Sequence, residues 1–213
     1  MKAMQANRWD AVVFDYGRVL SHAPTLAEVG EFGALVGVSE PPFFQLYSET
    51  RDAYDCGRQD CQQHWRRFAD AAGISLSADQ VERVVNFETR MWLRVNPRAL
   101  DLAREITRQG ARTAILSNMP HDLLGELRKN FDWLDEFEPQ IWSCEHGVIK
   151  PDPAIYRLCL NALGCEAHRV LFFDDRPNNV EGARRAGMEA HLFESAEQAA
   201  AIVRGGLDRS TEI

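Results

Sequence analysis

Val170-Leu171-Phe172-Phe173-Asp174-Asp175-Arg176-Pro177-Asn178-Asn179 is the stretch on which the fold turns. Four apolar residues in a row, too few for a helix, read as a strand buried on both faces. Two carboxylates follow at its end. Side by side after so apolar a strand they repel each other, unless a cation or hydrogen bonds compensate. Pro177 then suits the first turn of a helix, where its missing N–H costs nothing. A strand that ends in acidic groups and runs into a helix is the unit of an open parallel α/β sheet, which binds ligands at the carboxyl ends of its strands.

The same pattern recurs on either side. Strands are expected over 11–14, 111–116, 140–142 and 189–193, and helices over 97–109, 120–130, 153–163, 177–186 and 196–205. Gly110, Gly164 and Gly187 stand at helix ends. Residues 21–96 are different. They contain no convincing strand and read as four helices, over 26–35, 41–54, 58–72 and 78–93. The expected architecture is therefore α/β, a Rossmann-like core with a parallel sheet flanked by helices. The core comprises residues 1–20 and 97–213, and an all-helical cap of residues 21–96 is inserted after the first strand.

Composition limits the rest. Of the residues, 45% are hydrophobic and 26% charged, as in ordinary globular chains. The formal net charge of -8 makes a nucleic-acid partner a poor expectation, because that role needs a cationic face. No apolar run is long enough to span a bilayer, and MKAMQANRWD shows no signal-peptide core. Five cysteines, an odd number with no CxxC, suggest a reducing, cytoplasmic setting.

Chemistry-bearing residues fall at the strand ends. Asp15 closes the first strand, and Ser117-Asn118 closes the second before Pro120. Lys150 lies in Gly147-Val148-Ile149-Lys150-Pro151, against a proline-bounded helix start. A hydroxyl, an amide and a lysine suit a phosphoryl group. Asp15, Asp174 and Asp175 together make the hard-oxygen set that suits Mg²⁺. Taken singly, each also has a bland reading: a capping aspartate, a helix-starting serine, a solvated lysine, an acidic turn.

In this order, Asp15, Ser117-Asn118, Lys150 and Asp174-Asp175 resemble the four motifs of the haloacid dehalogenase superfamily. The likeness runs over residues 10–194. The insert resembles that superfamily's helical cap, and residues 147–156 and 172–187 resemble the bacterial α-glucose-1-phosphate phosphatase-like subgroup. The resemblance implies a Mg²⁺-dependent phosphomonoester hydrolase acting on a small phosphorylated metabolite such as a sugar phosphate, as a monomer or homodimer. Asp15 would be the nucleophile that forms an aspartyl-phosphate. Asp15, the Gly17 carbonyl, Asp175 and Asp174 would hold the metal, with Asn179 supporting its water shell. Ser117 and the Asn118 backbone would bind phosphoryl oxygens, and Lys150 would offset their charge.

One position departs from the family pattern. Gly17 stands where the superfamily usually carries a second aspartate, the acid–base group, although the glucose-1-phosphate subgroup is similar in having glycine there. Arg18 and His22 follow as candidate substrate-side groups. The cap offers Arg51, Tyr54, Trp65, Arg66 and the pair Glu88 and Trp92; Arg51 and Tyr54 are three apart on an expected helix and so share a face. Trp65 with Phe68, and Trp92 with Val95, read as cap packing. Two other functions stay open: a phosphate-binding protein that has lost turnover, and a 2-haloacid dehalogenase, whose halide leaves without a proton.

Overall fold

The computed structural model describes residues 8–39 and 42–208, with side chains to residue 205. Five parallel strands form one sheet: β1 (Ala11–Phe14), β2 (Arg112–Ser117), β3 (Gln140–Trp142), β4 (Val170–Asp174) and β5 (Glu189–Leu192). Their order is β3-β2-β1-β4-β5. β1 is central, with Phe14 in register with Ile115 on one side and Phe173 on the other. Asp15, Ser117 and Asp174 therefore end three adjacent strands on one edge. All four residues of β1 are fully buried, because helices cover both faces of the sheet.

The cap helices are α1 (Leu26–Val36), α2 (Pro42–Glu49), α3 (Asp52–Asp55), α4 (Cys61–Ala72) and α5 (Ala78–Trp92). Those of the core are α6 (Pro97–Arg108), α7 (His121–Asn130), α8 (Ser143–His146), α9 (Pro153–Leu163), α10 (Pro177–Arg185) and α11 (Ala196–Asp208). Capping boxes start α1, α4 and α5, at Thr25 with Glu28, Asp60 with Gln63 and Ser77 with Gln80. The cap has its own aromatic core, built from Phe32, Phe43, Trp65 and Phe68 with Val84 and Met91.

Two expectations are corrected. The helix expected over 41–54 divides into α2 and α3 around Thr50 and Arg51; Pro41 itself lies outside the described residues. The helix expected to start at residue 58 starts at Cys61, because the Asp60 side chain caps the N–H of Gln63. The short α8 was not expected.

The cap meets the core in several places. At its root, Ser21 pairs antiparallel with Val95, so the two connecting segments run side by side. At the tip of α3, Ser143 Oγ donates to the Asp55 carbonyl and accepts from the N–H of Met119, at 2.9 Å. Gly57 makes this approach close, since a Cβ there would stand 2.6 Å from the Cys144 carbonyl. Its φ of +75° also suits glycine.

Candidate active site

The strand ends and the cap enclose a cleft with about 90 Å³ of room, several times the roughly 10–15 Å³ that one water needs. Its floor is a charge cluster. Lys150 is almost fully buried and donates from Nζ to Asp174 Oδ2 at 2.6 Å and to the Leu116 carbonyl at 2.8 Å. It also pairs with Asp15 Oδ1 at 2.9 Å. Asn118 positions this lysine. Its side-chain oxygen accepts from the Lys150 N–H at 2.7 Å, and its amide donates back to the Lys150 carbonyl at 3.0 Å.

Asp174 is fully buried and saturated. Besides Lys150 it accepts from the Arg176 N–H at 2.8 Å and from Asn179 Nδ2 at 3.0 and 3.1 Å. Asn179 is held in turn by the Tyr156 hydroxyl, which donates to its carbonyl at 2.8 Å. Gly182 makes room for that hydroxyl, since a Cβ there would lie 2.7 Å away from it. Asp175 is more open and meets Arg18 at 3.2 Å.

Burial pushes the Asp15 carboxyl up to about 6, against the pull of Lys150 and with the push of Asp174 and Asp175. Burial raises Asp175 too, and the charge of Asp174 adds to it. Lys150 is held above its ordinary value: burial would lower it, but Asp15 and Asp174 outweigh that. Asp15 and Asp175 both resist ionising, so this edge of the sheet lacks positive charge. Asp15, Asp174 and Asp175 each offer an oxygen within 4.8 Å of the others. That donor set fits a hard divalent cation.

Arg18 reaches this edge by a strained route. Residues Tyr16–Leu20 form one wide turn, closed by the Ser21 N–H on the Tyr16 carbonyl at 2.9 Å. Within it Arg18 has φ +61°, the one non-glycine residue with positive φ among those described. A left-handed residue of this kind costs about 1–2 kcal/mol.

The roof comes from the cap. Buried Arg51 donates to Glu88 through NH1, to the Tyr47 hydroxyl at 2.6 Å, and through Nε and NH2 to Asp55 at 2.8–3.2 Å. Trp92 lies beside this network, its indole N–H donating to Tyr47 at 3.4 Å.

Of the expected site residues, Asp15, Gly17, Arg18, Arg51, Ser117, Asn118, Lys150, Asp175 and Asn179 line the cleft, and Asp174 backs it. Two lie elsewhere. His22 is exposed on the linker, where its N–H donates to the Arg94 carbonyl. Tyr54 does not share a cleft face with Arg51, because its hydroxyl turns to Asp122 at 3.0 Å. Asp55, Tyr47 and Arg176 line the cleft without having been singled out, and Trp92 lines it as well as packing the cap. Asp55 could have been found from its place four residues after Arg51. Nothing local in the sequence marks Tyr47.

A core of this topology, with an acidic cluster at its strand ends and a helical insert after β1, defines a hydrolase class. The family model for haloacid dehalogenase-like hydrolases matches residues 9–187, and the chain belongs to that family. Similar sequences include "Bifunctional epoxide hydrolase 2" of Sus scrofa, 30% identical over 151 residues, 66% of this chain and 25% of that protein. The chain thus spans about a quarter of that relative's length. "Sesquiterpene phosphatase astK" of Aspergillus oryzae is 27% identical over 87% of this chain and 90% of that one. Among solved structures, a HAD family enzyme of Bacteroides thetaiotaomicron has a similar fold: TM-score 0.73 at 18% identity, over 91% of this chain and 98% of that one. That enzyme has also been solved with magnesium. No described helix is long and apolar enough to cross a membrane.

Proposed function

We propose that the protein is a Mg²⁺-dependent phosphomonoester hydrolase for a small phosphorylated metabolite, working through an aspartyl-phosphate on Asp15. The observation that carries this reading is the placement of Asp15, which faces the cleft against Lys150 and lies within one oxygen cluster with Asp174 and Asp175. A dehalogenase needs no such metal-type cluster. A cation held by Asp15, Asp175 and the Gly17 carbonyl would neutralise charge on the phosphoryl oxygens. Asp174 fits a supporting place better than a direct one, since Lys150, Arg176 and Asn179 already use both of its oxygens.

The chain's own residues then divide the work. Asp15 attacks phosphorus with the oxygen not held by Lys150 and Tyr16. Ser117 and the Asn118 main chain bind phosphoryl oxygens, while the Asn118 side chain keeps Lys150 in place. Lys150 lowers the cost of bringing a dianion beside a carboxylate. The roof of Arg51, Tyr47, Asp55 and Trp92 meets the leaving group, where polar and aromatic groups together suit a polar small molecule.

The test is phosphate release from a panel of phosphorylated metabolites, with and without Mg²⁺. Asp15→Asn should lose turnover by on the order of 10⁴-fold or more. Full turnover in that variant would remove Asp15 as the nucleophile. Binding without turnover across the whole panel would favour the phosphate-binding alternative.

A further inference from the structure

Residue 17 lies beside a cap tryptophan. The φ of -62° and ψ of 124° at Gly17 are open to any residue, so the backbone does not call for glycine. A Cβ at position 17 would meet Trp92 Cζ3 at 3.8 Å, an ordinary contact distance. Trp92 is fixed from two sides. Its carbonyl accepts from the Tyr16 hydroxyl at 2.8 Å, and its indole N–H donates to Tyr47. Glycine leaves no acid–base side chain at position 17, and the cap tryptophan borders the space beside it.

Among the described residues, no other group lining the cleft is a free proton carrier. Lys150 has three acceptors around Nζ, and the Tyr16 and Tyr47 hydroxyls already donate to the Trp92 carbonyl and to Glu88. Guanidinium groups do not give up protons near neutrality. Asp55 has both oxygens on the Arg51 fork, and Asp175 belongs to the oxygen cluster. His22 is not among the lining residues.

Resting on the phosphatase reading, we propose that this site is specific for phosphoryl compounds with a weakly basic leaving oxygen, such as acyl or aryl phosphates, and that phospho-Asp15 is long-lived. In the first step an Asp15 oxygen bonds to phosphorus as the bond to the leaving oxygen breaks. The electron pair departs on that oxygen, which takes its proton from bulk water afterwards. Only a leaving group that is stable as an anion does this fast. In the second step water bonds to phosphorus and the Asp15–phosphorus bond breaks. The pair returns to the carboxylate, and the water's proton passes to bulk solvent. With no side chain to draw that proton, this step is slow.

The experiment uses the full chain with Mg²⁺ and a series of phosphate monoesters, from nitrophenyl to simple alkyl, with acetyl phosphate added. The expected kcat/KM falls by about 10²–10⁴-fold from nitrophenyl to alkyl esters, the usual worth of a missing acid. Rapid quench should show a burst of nitrophenol near one equivalent per protein, absent in Asp15→Asn. Aryl and alkyl esters within about tenfold of each other, with no burst, would overturn the proposal. If Asp55→Asn then slowed the alkyl esters alone, Asp55 would be the acid. Failure of every ester and of acetyl phosphate, with wild type no better than Asp15→Asn, would instead overturn the phosphatase reading on which this rests.

Discussion

Floor and roof of the cleft are each organised by one buried cation between carboxylates, yet they are built for different ends. On the floor Lys150 sits between Asp15 and Asp174; in the roof Arg51 sits between Glu88 and Asp55. An ammonium is a compact point charge, whereas a guanidinium is a planar fork that saturates its partners. Lys150 thus leaves Asp15 an oxygen to spare and does not touch Asp175, so the floor keeps acceptors for a further cation. Arg51 takes up Asp55 and Glu88 and closes the roof on itself. A reactive site needs unspent acceptors, and a lid needs a fixed shape.

The largest effects should come from removing these cations. Lys150→Met and Arg51→Met each strand two buried carboxylates, at about 3–5 kcal/mol in urea unfolding. The comparison predicts that they part when magnesium is added. The floor of Lys150→Met should bind the ion more tightly than wild type does, so its Tm should rise by more. Arg51→Met should gain no more than wild type. Its stability should return when Asp55→Asn and Glu88→Gln are added, which removes the stranded charge. Equal magnesium responses in the two variants would show that the floor holds no more open acceptors than the roof.

How far each half could be read from the sequence follows the same division. The floor stands on strand ends. The apolar runs around Val12 and Phe172 locate β1 and β4, and Asp15 and Asp174 follow them directly. Lys150 and Ser117-Asn118 fall beside a proline and at a strand terminus, so order along the chain was enough. The roof depends on how helices face each other. Arg51 and Tyr54 look like neighbours on one helix. The chain breaks just before them with neither proline nor glycine to announce it, the Thr50 hydroxyl bonding back to the Leu46 carbonyl at 2.8 Å. Arg51 then turns to the cleft and Tyr54 to Asp122. Glu88 and Trp92 come from a helix over thirty residues later, and no local pattern reports that meeting. Gly17 was legible as a departure, but not the indole against it.

A middle-sized effect tests the roof through acid. His64 is fully buried and stacks on Tyr54, with ring centroids 4.5 Å apart. Burial pushes its imidazole down to about 3, and Arg51 adds to the shift. The folded state therefore keeps His64 neutral where the unfolded chain, titrating near 6.5, takes up a proton. The stability due to this difference is complete above about pH 6.5 and is lost as pH falls from there toward 3. Between pH 7 and pH 5 the loss is roughly 2 kcal/mol. His64→Phe keeps an aromatic ring against Tyr54 and cannot titrate. Its urea midpoint should fall less between those two pH values than that of wild type, while the shared response of the floor carboxylates cancels. Parallel midpoints in the two proteins would refute the assignment.

The smallest effect lies where roof and floor touch, at Gly17 beneath Trp92. If space rather than conformation keeps this residue small, alanine is the largest side chain that should fit. Its Cβ would stand at ordinary contact distance from the indole. Gly17→Ala should then be neutral, or gain about 0.4–1 kcal/mol by restricting the unfolded chain at a φ and ψ that alanine also accepts. Gly17→Leu carries its bulk into the ring and should lose about 1–3 kcal/mol. Trp92→Ala should erase that difference between leucine and alanine, whatever it costs by itself, because the wall is gone. A coupling near zero in that cycle would mean that the indole does not confine position 17. The absent acid–base side chain would then owe nothing to the cap, and the roof would be a lid over the floor without shaping its chemistry.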